Sequence, residues 1–237
     1  MTAFLSRDVW TQHPPVRALT PFAAGEVLGV AVHYTGSARP LTDDPTVAQS
    51  CALLEAERRL HVTAPRSWSD IAYNAAIDKA GRVFNLRGIE HRSAANGDER
   101  VNRAWAAVTF LVGVGEGPTP VQVEAFTAWR RLWLRRWPAA TRVVGHRDLH
   151  STECPGAPLY ALVTAGRLSP GPTPQEDHLA LSEEDLDRVA DRVADRLLAA
   201  PGGKAPRPAK YVARDGDELL PITDALTRLL DRTRGQG

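Results

Sequence analysis

The sequence predicts an α/β fold in which a mixed central β-sheet is flanked by helices and followed by a helical C-terminal appendage. Three observations predict it. Short apolar runs rich in β-branched residues alternate with longer segments of helical periodicity, aromatic residues recur at helical spacing in one of those segments, and the composition changes after Gly166. Strands that alternate with helices fold into a sheet layer covered by helices.

The predicted strands are short runs dominated by β-branched, aromatic and other apolar residues. Five runs have this character, at residues 27–34, 71–78, 82–86, 105–113 and 141–146. The second and third are separated by a short turn and are expected to pair as antiparallel neighbours. The first and the last reach a histidine at or near their ends, His33 and His146.

Three helices are predicted in the first 166 residues, at 45–61, 119–137 and 157–166. In the second, the apolar aromatic positions fall on one face of a 3.6-residue period, at Phe126, Trp129, Trp133 and Trp137. The arginines of the run RRLWLRR, residues 130–136, fall mostly on the other face. We therefore interpret that run as a solvated helix face and not as a nucleic-acid-binding patch.

Composition divides the chain into a domain and an appendage. The predicted parts are a main folded domain at 1–166, a Pro-rich linker at 167–178, an amphipathic helix at 179–200, and a second linker with a short helix at 201–237. Two amphipathic helices can hardly form a core of their own. The first of them has an apolar stripe formed by Leu186, Val189, Val193 and Leu197. We therefore expect this stripe to pack on the domain or on a second copy, and we favour self-association.

Charge and cysteine content limit the partners and the compartment. The net charge of +1 gives no reason to expect nucleic acid or a membrane surface as a partner. No apolar stretch has the length of a signal peptide core or a membrane span, which predicts a cytoplasmic protein that something else releases to an external substrate. Two cysteines, Cys51 and Cys154, cannot build a disulfide framework, although one bridge or one functional thiol would each be compatible.

A metal site is the chemistry that the residues themselves suggest. His146 at a strand end and Cys154 in the following loop are both good zinc ligands, and His33 at the end of a distant strand is the candidate third ligand. A catalytic zinc has three protein ligands and one open position, and the ion acidifies water and polarises a carbonyl. His150 is an alternative ligand, four residues after His146 as in helical metal pairs. Its segment, however, has a composition unlike that of a helix.

Four motifs, in order, resemble the type-2 N-acetylmuramoyl-L-alanine amidase family, and the likeness extends over residues 6–165. The motifs are HYTG, WSDIAYN, GRVFNLRG and GHRDLHSTECPG. That family includes phage lysozyme-type amidases and the peptidoglycan recognition proteins of animals. The opening at 6–15 is similar to the recognition-protein branch, whereas RSAANG at 92–97 with Asn102 resembles endolysins of actinobacterial phages.

The resemblance implies an active site with one zinc ion per chain. It makes His33, His146 and Cys154 the zinc ligands and Tyr73 the catalytic tyrosine. Thr152 occupies the position where phage enzymes often have lysine and catalytic recognition proteins have threonine. The implied reaction is hydrolysis of the amide bond between N-acetylmuramic acid and L-alanine in bacterial peptidoglycan.

Three further residues are predicted to bind the substrate. Trp68 is expected to be half core and half groove wall, and Asn96 and Asn102 lie in a polar loop where turn formation is an equally good explanation. Many relatives have an aromatic residue after the Arg-Gly pair of the third motif, whereas here Gly88 is followed by Ile89. This departure leaves the preferred stem-peptide type unpredicted.

The leading hypothesis is therefore a phage lysis enzyme that waits in the host cytoplasm until a holin opens the membrane. Arginine replaces lysine almost throughout, which is typical of a GC-rich coding genome such as that of an actinobacterium. Two alternatives remain open. One is a recognition module that binds peptidoglycan without cutting it. The other is a structural zinc protein with a fourth ligand, such as His150 or Asp148.

Overall fold

A computed structural model of the chain describes residues 2–37, 42–169, 212–215 and 218–221. The chain forms two compact units, 1–173 and 174–237, and every motif named above lies in the first. The helix predicted at 179–200, and with it the self-association expected through its stripe, lies outside the described residues and stays a prediction.

The second unit contains two strands that we did not predict. Val212–Asp215 and Glu218–Pro221 pair as antiparallel neighbours inside the stretch expected to be linker and helix. The sequence signal is a Gly-Asp pair at 216–217, which is typical of two-residue hairpin loops. Charged residues at three of the eight strand positions hid the alternating pattern on which a strand prediction depends.

The first unit is built on one mixed sheet, as predicted. Its strands are β1 (Phe4–Leu5), β2 (Gly29–Tyr34), β3 (Ala75–Ile77), β4 (Val83–Asn85), β5 (Trp105–Phe110) and β6 (Arg142–Gly145). They lie in the order β1-β4-β3-β5-β2-β6, and all neighbours are parallel except β3 and β4. The central strands β2 and β5 are almost completely buried, which agrees with their uniformly apolar sequences.

Five helices accompany the sheet in the described part of the first unit. They are α1 (Arg7–Trp10), α2 (Val47–Val62), α3 (Glu99–Ala104), α4 (Pro120–Arg136) and α5 (Ala157–Thr164). The long helices α2 and α4 each begin with a capping box, in which a threonine and a glutamine three residues later cap each other's backbone. No helix in the described ranges is long and apolar enough to cross a membrane.

The aromatic face of α4 packs into the main core. Phe126, Trp129, Trp133 and Trp137 are all buried, and the rings of Trp129 and Trp133 stack with centroids 5.6 Å apart. This confirms the face predicted from their spacing. Aromatic side chains bury large apolar areas, so this face anchors the helix to the sheet.

One arginine of the same helix contradicts the solvated-face interpretation. Arg130 is completely buried, and its guanidinium donates to the carbonyl oxygens of Ala140 at 3.2 Å and Thr141 at 2.6 Å. Burial lowers the pKa of Arg130 to about 10. The interpretation was wrong here because two carbonyls of the loop before β6 accept these hydrogen bonds, which residue spacing cannot reveal. The remaining arginines of the run, Arg131, Arg135 and Arg136, are exposed.

The strand directions bring the two predicted histidine ligands to one edge of the sheet. His33 lies near the carboxyl end of β2, and His146 follows directly after the parallel neighbour β6. In sheets of parallel strands, the carboxyl ends of the strands are the usual position of functional sites. The fold therefore explains why two residues far apart in sequence meet.

Candidate metal centre and active site

Three side chains converge at this edge of the sheet. The ligand atoms that His33, His146 and Cys154 can offer all lie within 4.8 Å of one another. The Cys154 sulfur lies 3.6 Å from Nδ1 of His33, and the two imidazole rings have centroids 4.3 Å apart. His33 is 2% exposed and forms the buried side of the cluster, whereas His146 and Cys154 are partly exposed. The structure thus brings together the three predicted zinc ligands.

His146 is positioned by a 3-10 turn, His146–Asp148, that follows β6 directly. The Asp148 carboxylate accepts hydrogen bonds from the Gly145 amide at 2.7 Å and from the Tyr160 hydroxyl at 2.6 Å. A Cβ atom at Gly145 would lie 2.7 Å from the Tyr160 ring, so only glycine lets α5 approach this closely. Asp148 and Tyr160 together therefore fix the backbone at Gly145, directly before His146.

Cys154 is held by two hydrogen bonds of its own backbone. Its amide donates to the Thr152 hydroxyl oxygen at 3.2 Å, and its carbonyl accepts from the Arg147 amide at 3.0 Å. The second bond closes the loop between the histidine and the cysteine. Among the described residues, the Thr152 hydroxyl accepts from Cys154 and donates to no other group, so its hydrogen remains for donation.

Burial sets the protonation states of the three residues. Burial, and then the nearby His146, lowers the pKa of His33 to about 3, and burial together with His150 lowers the pKa of His146 to about 4. Both imidazoles are therefore neutral near pH 7 and have a lone pair to offer. Burial raises the pKa of the Cys154 thiol to about 11. Burial therefore favours the neutral thiol of Cys154, and a bound cation would be needed to stabilise the thiolate.

The donor set suits a zinc ion. Both ring nitrogens of His146 are buried and have no hydrogen-bond partner in the part of the chain that the structure describes, which is costly unless another group satisfies them. A metal ion bonded to one of these nitrogens would remove part of that cost. Two imidazoles and one thiolate are ligands that zinc prefers. The residues present therefore fit the ion that the sequence predicts.

Neither proposed fourth ligand joins the group. His150 is exposed, with its ring stacked 5.7 Å from that of His146, and it lies outside the cluster of ligand atoms. Both Asp148 oxygens are engaged by Gly145 and Tyr160. Among the described residues, the group therefore offers three ligand atoms and no fourth, which is the number typical of catalytic and not of structural zinc.

Tyr73 lies beside the cluster. Its ring packs edge-on against His33 with centroids 5.4 Å apart, and it also contacts His61 at 5.8 Å. We predicted Tyr73 inside a strand at 71–78, but β3 begins only at Ala75, because the backbone bends at Ala72 and Asn74. Burial, and then the charge of Glu57, raises the pKa of Tyr73 well above its ordinary value. Its phenol therefore stays protonated and can donate a hydrogen bond.

The predicted substrate-binding residues fall into two places. Trp68 is half-buried against His61, at 5.0 Å between ring centroids, and it lines a polar cavity of about 350 Å³ together with Asn102. The roles of Trp68 and Asn102 stay predictions. Asn96 is completely buried, and its amide bonds only to protein groups, among them His33. This placement does not match direct substrate contact, because the loop turns the Asn96 side chain inward.

Sequence reasoning gave no role to His61, which the structure places beside the active-site residues. The Ala72 amide donates to its Nδ1 at 3.2 Å, and its ring contacts both Trp68 and Tyr73. His61 thus links helix α2 to the segment that carries the tyrosine. The only available signal was its place in the last turn of the helix, which is too common to be informative.

We expect Asp148→Ala to weaken zinc affinity by about 10- to 100-fold, since groups that orient metal ligands typically have effects of this size. The variant loses both hydrogen bonds of the Asp148 carboxylate, which hold the 3-10 turn that contains His146. Tyr160→Phe removes only one of them and should have a smaller effect. Competition with a chromophoric chelator measures both affinities. Equal affinities for wild type and Asp148→Ala would show that the turn needs no such support.

The fold and the three-ligand group define an α/β domain with a candidate catalytic metal centre. Residues 23–157 match the Amidase_2 family model, described as N-acetylmuramoyl-L-alanine amidase. Because the match spans more than half of the chain, the protein belongs to this family of type-2 amidases.

Known relatives agree with this assignment. Peptidoglycan-recognition protein SD of Drosophila melanogaster is 27% identical over 164 residues, which are 67% of this chain and 83% of that protein. The structure of wild-type Drosophila PGRP-LB superposes with a TM-score of 0.61 at 21% identity, covering 70% of this chain and 94% of that one. Peptidoglycan recognition protein LE, solved in complex with tracheal cytotoxin, superposes with a TM-score of 0.57 at 26% identity, covering 69% of this chain and 93% of that one. The expected mixed sheet flanked by helices is confirmed.

Proposed function

We propose that this protein is a zinc-dependent N-acetylmuramoyl-L-alanine amidase, which hydrolyses the bond between N-acetylmuramic acid and L-alanine in peptidoglycan. Family membership supports amidase or recognition activity toward peptidoglycan. The observation that carries the finer proposal is the cluster of His33, His146 and Cys154, which has three ligand atoms and, in the described ranges, no fourth protein ligand.

The residues around the cluster have separate roles in this proposal. His33, His146 and Cys154 would hold the zinc ion, which when bound supplies a Lewis acid that acidifies water and polarises the scissile carbonyl. Tyr73, kept protonated by burial, donates a hydrogen bond to the carbonyl oxygen as negative charge develops there. Thr152 donates its hydroxyl hydrogen to the substrate. Because the hydroxyl is neutral, it contributes less electrostatic stabilisation than a lysine would.

The substrate would extend from the cluster toward the polar cavity. Trp68 and Asn102 line this cavity together with three arginines, Arg17, Arg87 and Arg92, and two acidic residues, Asp98 and Glu99. Stem peptides carry carboxylates, and arginine is well suited to bind them. We therefore assign Trp68 and Asn102 to contacts with the stem peptide.

Identification of the cleaved bond tests the proposal. Purified peptidoglycan is incubated with the protein as isolated, after chelation, and after zinc is restored, and the products are analysed by mass spectrometry. We expect peptides with a free L-alanine amino terminus and intact glycan strands, with activity lost on chelation and regained with zinc. Binding without release would indicate a recognition module, cleaved glycan strands would indicate another hydrolase class, and activity without metal would contradict the zinc assignment.

A role in phage lysis is a separate part of the proposal, supported by the likeness of residues 92–97 to endolysins of actinobacterial phages. The protein would act from the host cytoplasm after a holin opens the membrane. Expression in an actinobacterium with and without a co-expressed holin tests this. We expect lysis only with the holin. Lysis without it, or no lysis with it, would contradict the role.

A further inference from the structure

Asn96 is a buried polar side chain beside the cluster of His33, His146 and Cys154. It is 0% exposed, and its Oδ1 lies 2.9 Å from Nε2 of His33. Its Nδ2 donates to the Ser93 hydroxyl oxygen at 2.8 Å and to the Trp105 carbonyl oxygen at 2.9 Å. Each end of the amide therefore has a partner, with no solvent in contact.

These partners determine which way the amide faces. A carbonyl oxygen only accepts hydrogen bonds, so the Asn96 atom next to the Trp105 carbonyl must be the nitrogen. The opposite orientation would place two acceptor oxygens against each other in a buried site. The oxygen of Asn96 therefore faces His33, where it can only accept a hydrogen bond.

The orientation of Asn96 in turn determines the tautomer of His33. Because Oδ1 of Asn96 accepts, Nε2 of a neutral His33 must carry the hydrogen, and Nδ1 then carries the lone pair. Nδ1 is the atom 3.6 Å from the Cys154 sulfur. The lone pair therefore points into the ligand cluster before any metal arrives.

A second layer of residues holds Asn96 itself. Asn102 Oδ1 accepts from the Asn96 backbone amide at 2.9 Å and from the Ser93 hydroxyl at 3.0 Å. Ser93 is 4% exposed and Asn102 is 8% exposed, so the network is largely shielded from water. Trp105 is the first residue of β5, which ties the network to the central sheet.

We propose that Asn96 is a positioning residue, which holds His33 as the Nε2–H tautomer with Nδ1 directed at the metal. This inference deepens the proposed function and rests on it for the metal, but not for the peptidoglycan reaction. Groups that hydrogen-bond to a ligating histidine fix its tautomer and its orientation. Here a neutral amide does so, and Ser93 and Asn102 fix the amide.

Asn96→Leu tests the proposal, because it keeps the side-chain size and removes the acceptor. We expect the metal-free variant to lose the pure Nε2–H tautomer of His33, observed by long-range ¹H–¹⁵N NMR with the signal assigned through His33→Gln. We also expect zinc affinity, measured by chelator competition, to fall about 10- to 100-fold. An unchanged tautomer and an affinity within twofold of wild type would overturn the proposal.

A matched control separates positioning from general destabilisation. Asn74 is also 0% exposed, and its amide bonds to the carbonyls of Gly88 and His91 and to the Ala107 amide. Asn74→Leu should cost stability without changing the His33 tautomer, and an equal change in that tautomer would argue against a specific role. If Asn96→Leu does not fold, Ser93→Ala gives the second test, with a severalfold loss of zinc affinity expected and no loss contradicting the proposal.

Neither readout requires peptidoglycan. If the wild-type protein binds zinc and shows the expected tautomer but cleaves no peptidoglycan, the proposed function fails and the positioning role stands. If it cleaves peptidoglycan and Asn96→Leu leaves tautomer and affinity unchanged, the positioning role fails alone.

Discussion

Replacement of Cys154 by serine is expected to lower peptidoglycan cleavage on the order of 1000-fold. The thiolate is the only anionic ligand in the group of three, and a serine hydroxyl is a far weaker zinc ligand. Loss of the ion removes several kcal/mol of transition-state stabilisation, and each 1.36 kcal/mol corresponds to a factor of ten in rate. Peptide release followed by mass spectrometry, together with the zinc content of the purified variant, measures the effect.

The other cysteine provides the matched control. Cys51 lies on α2, where its thiol contacts the Val9 carbonyl at 3.5 Å, and it is not part of the ligand cluster. Cys51→Ser should keep zinc and activity, and thermal unfolding should show that both variants fold. Cleavage by Cys154→Ser at more than a tenth of the wild-type rate would show that the thiolate is dispensable for metal binding.

The elements that the sequence predicted well are those whose signal is local. Strand β2 is a continuous apolar run, and the face of α4 is marked by four aromatic residues at helical spacing. The meeting of His33 and His146 could also be predicted, because both lie at or near the ends of strands, and parallel strands end at the same edge of a sheet. Elements of two, four and six residues, β1, α1 and α3, were missed because they are too short to show a period.

What the sequence could not provide depends on partners that are distant in the chain. Arg130 is buried because two loop carbonyls accept its hydrogen bonds, and a charged residue among tryptophans gives no hint of this. Asn96 lies in a polar loop, where turn formation was as good an explanation as function. Its role becomes visible only once the Trp105 carbonyl fixes its amide and His33 lies opposite.

Tyr73→Phe is expected to lower kcat by about 100- to 1000-fold, the usual effect of removing one hydrogen-bond donor to a developing oxyanion. The ring contacts with His33 and His61 are retained, so the variant should fold and bind zinc like the wild type. KM should change little, because the donated bond strengthens only as charge develops in the transition state. Steady-state kinetics on a soluble muramoyl-peptide measure both constants.

A comparison of two hydroxyl deletions makes this prediction specific. Tyr160→Phe removes the hydroxyl that supports Asp148 and should weaken zinc affinity, so excess zinc should restore its rate. Tyr73→Phe should show the opposite pattern, with normal zinc affinity and a low kcat that zinc cannot restore. A kcat close to that of the wild type would mean that the phenol of Tyr73 only packs against His33, and that oxyanion stabilisation comes from the metal alone.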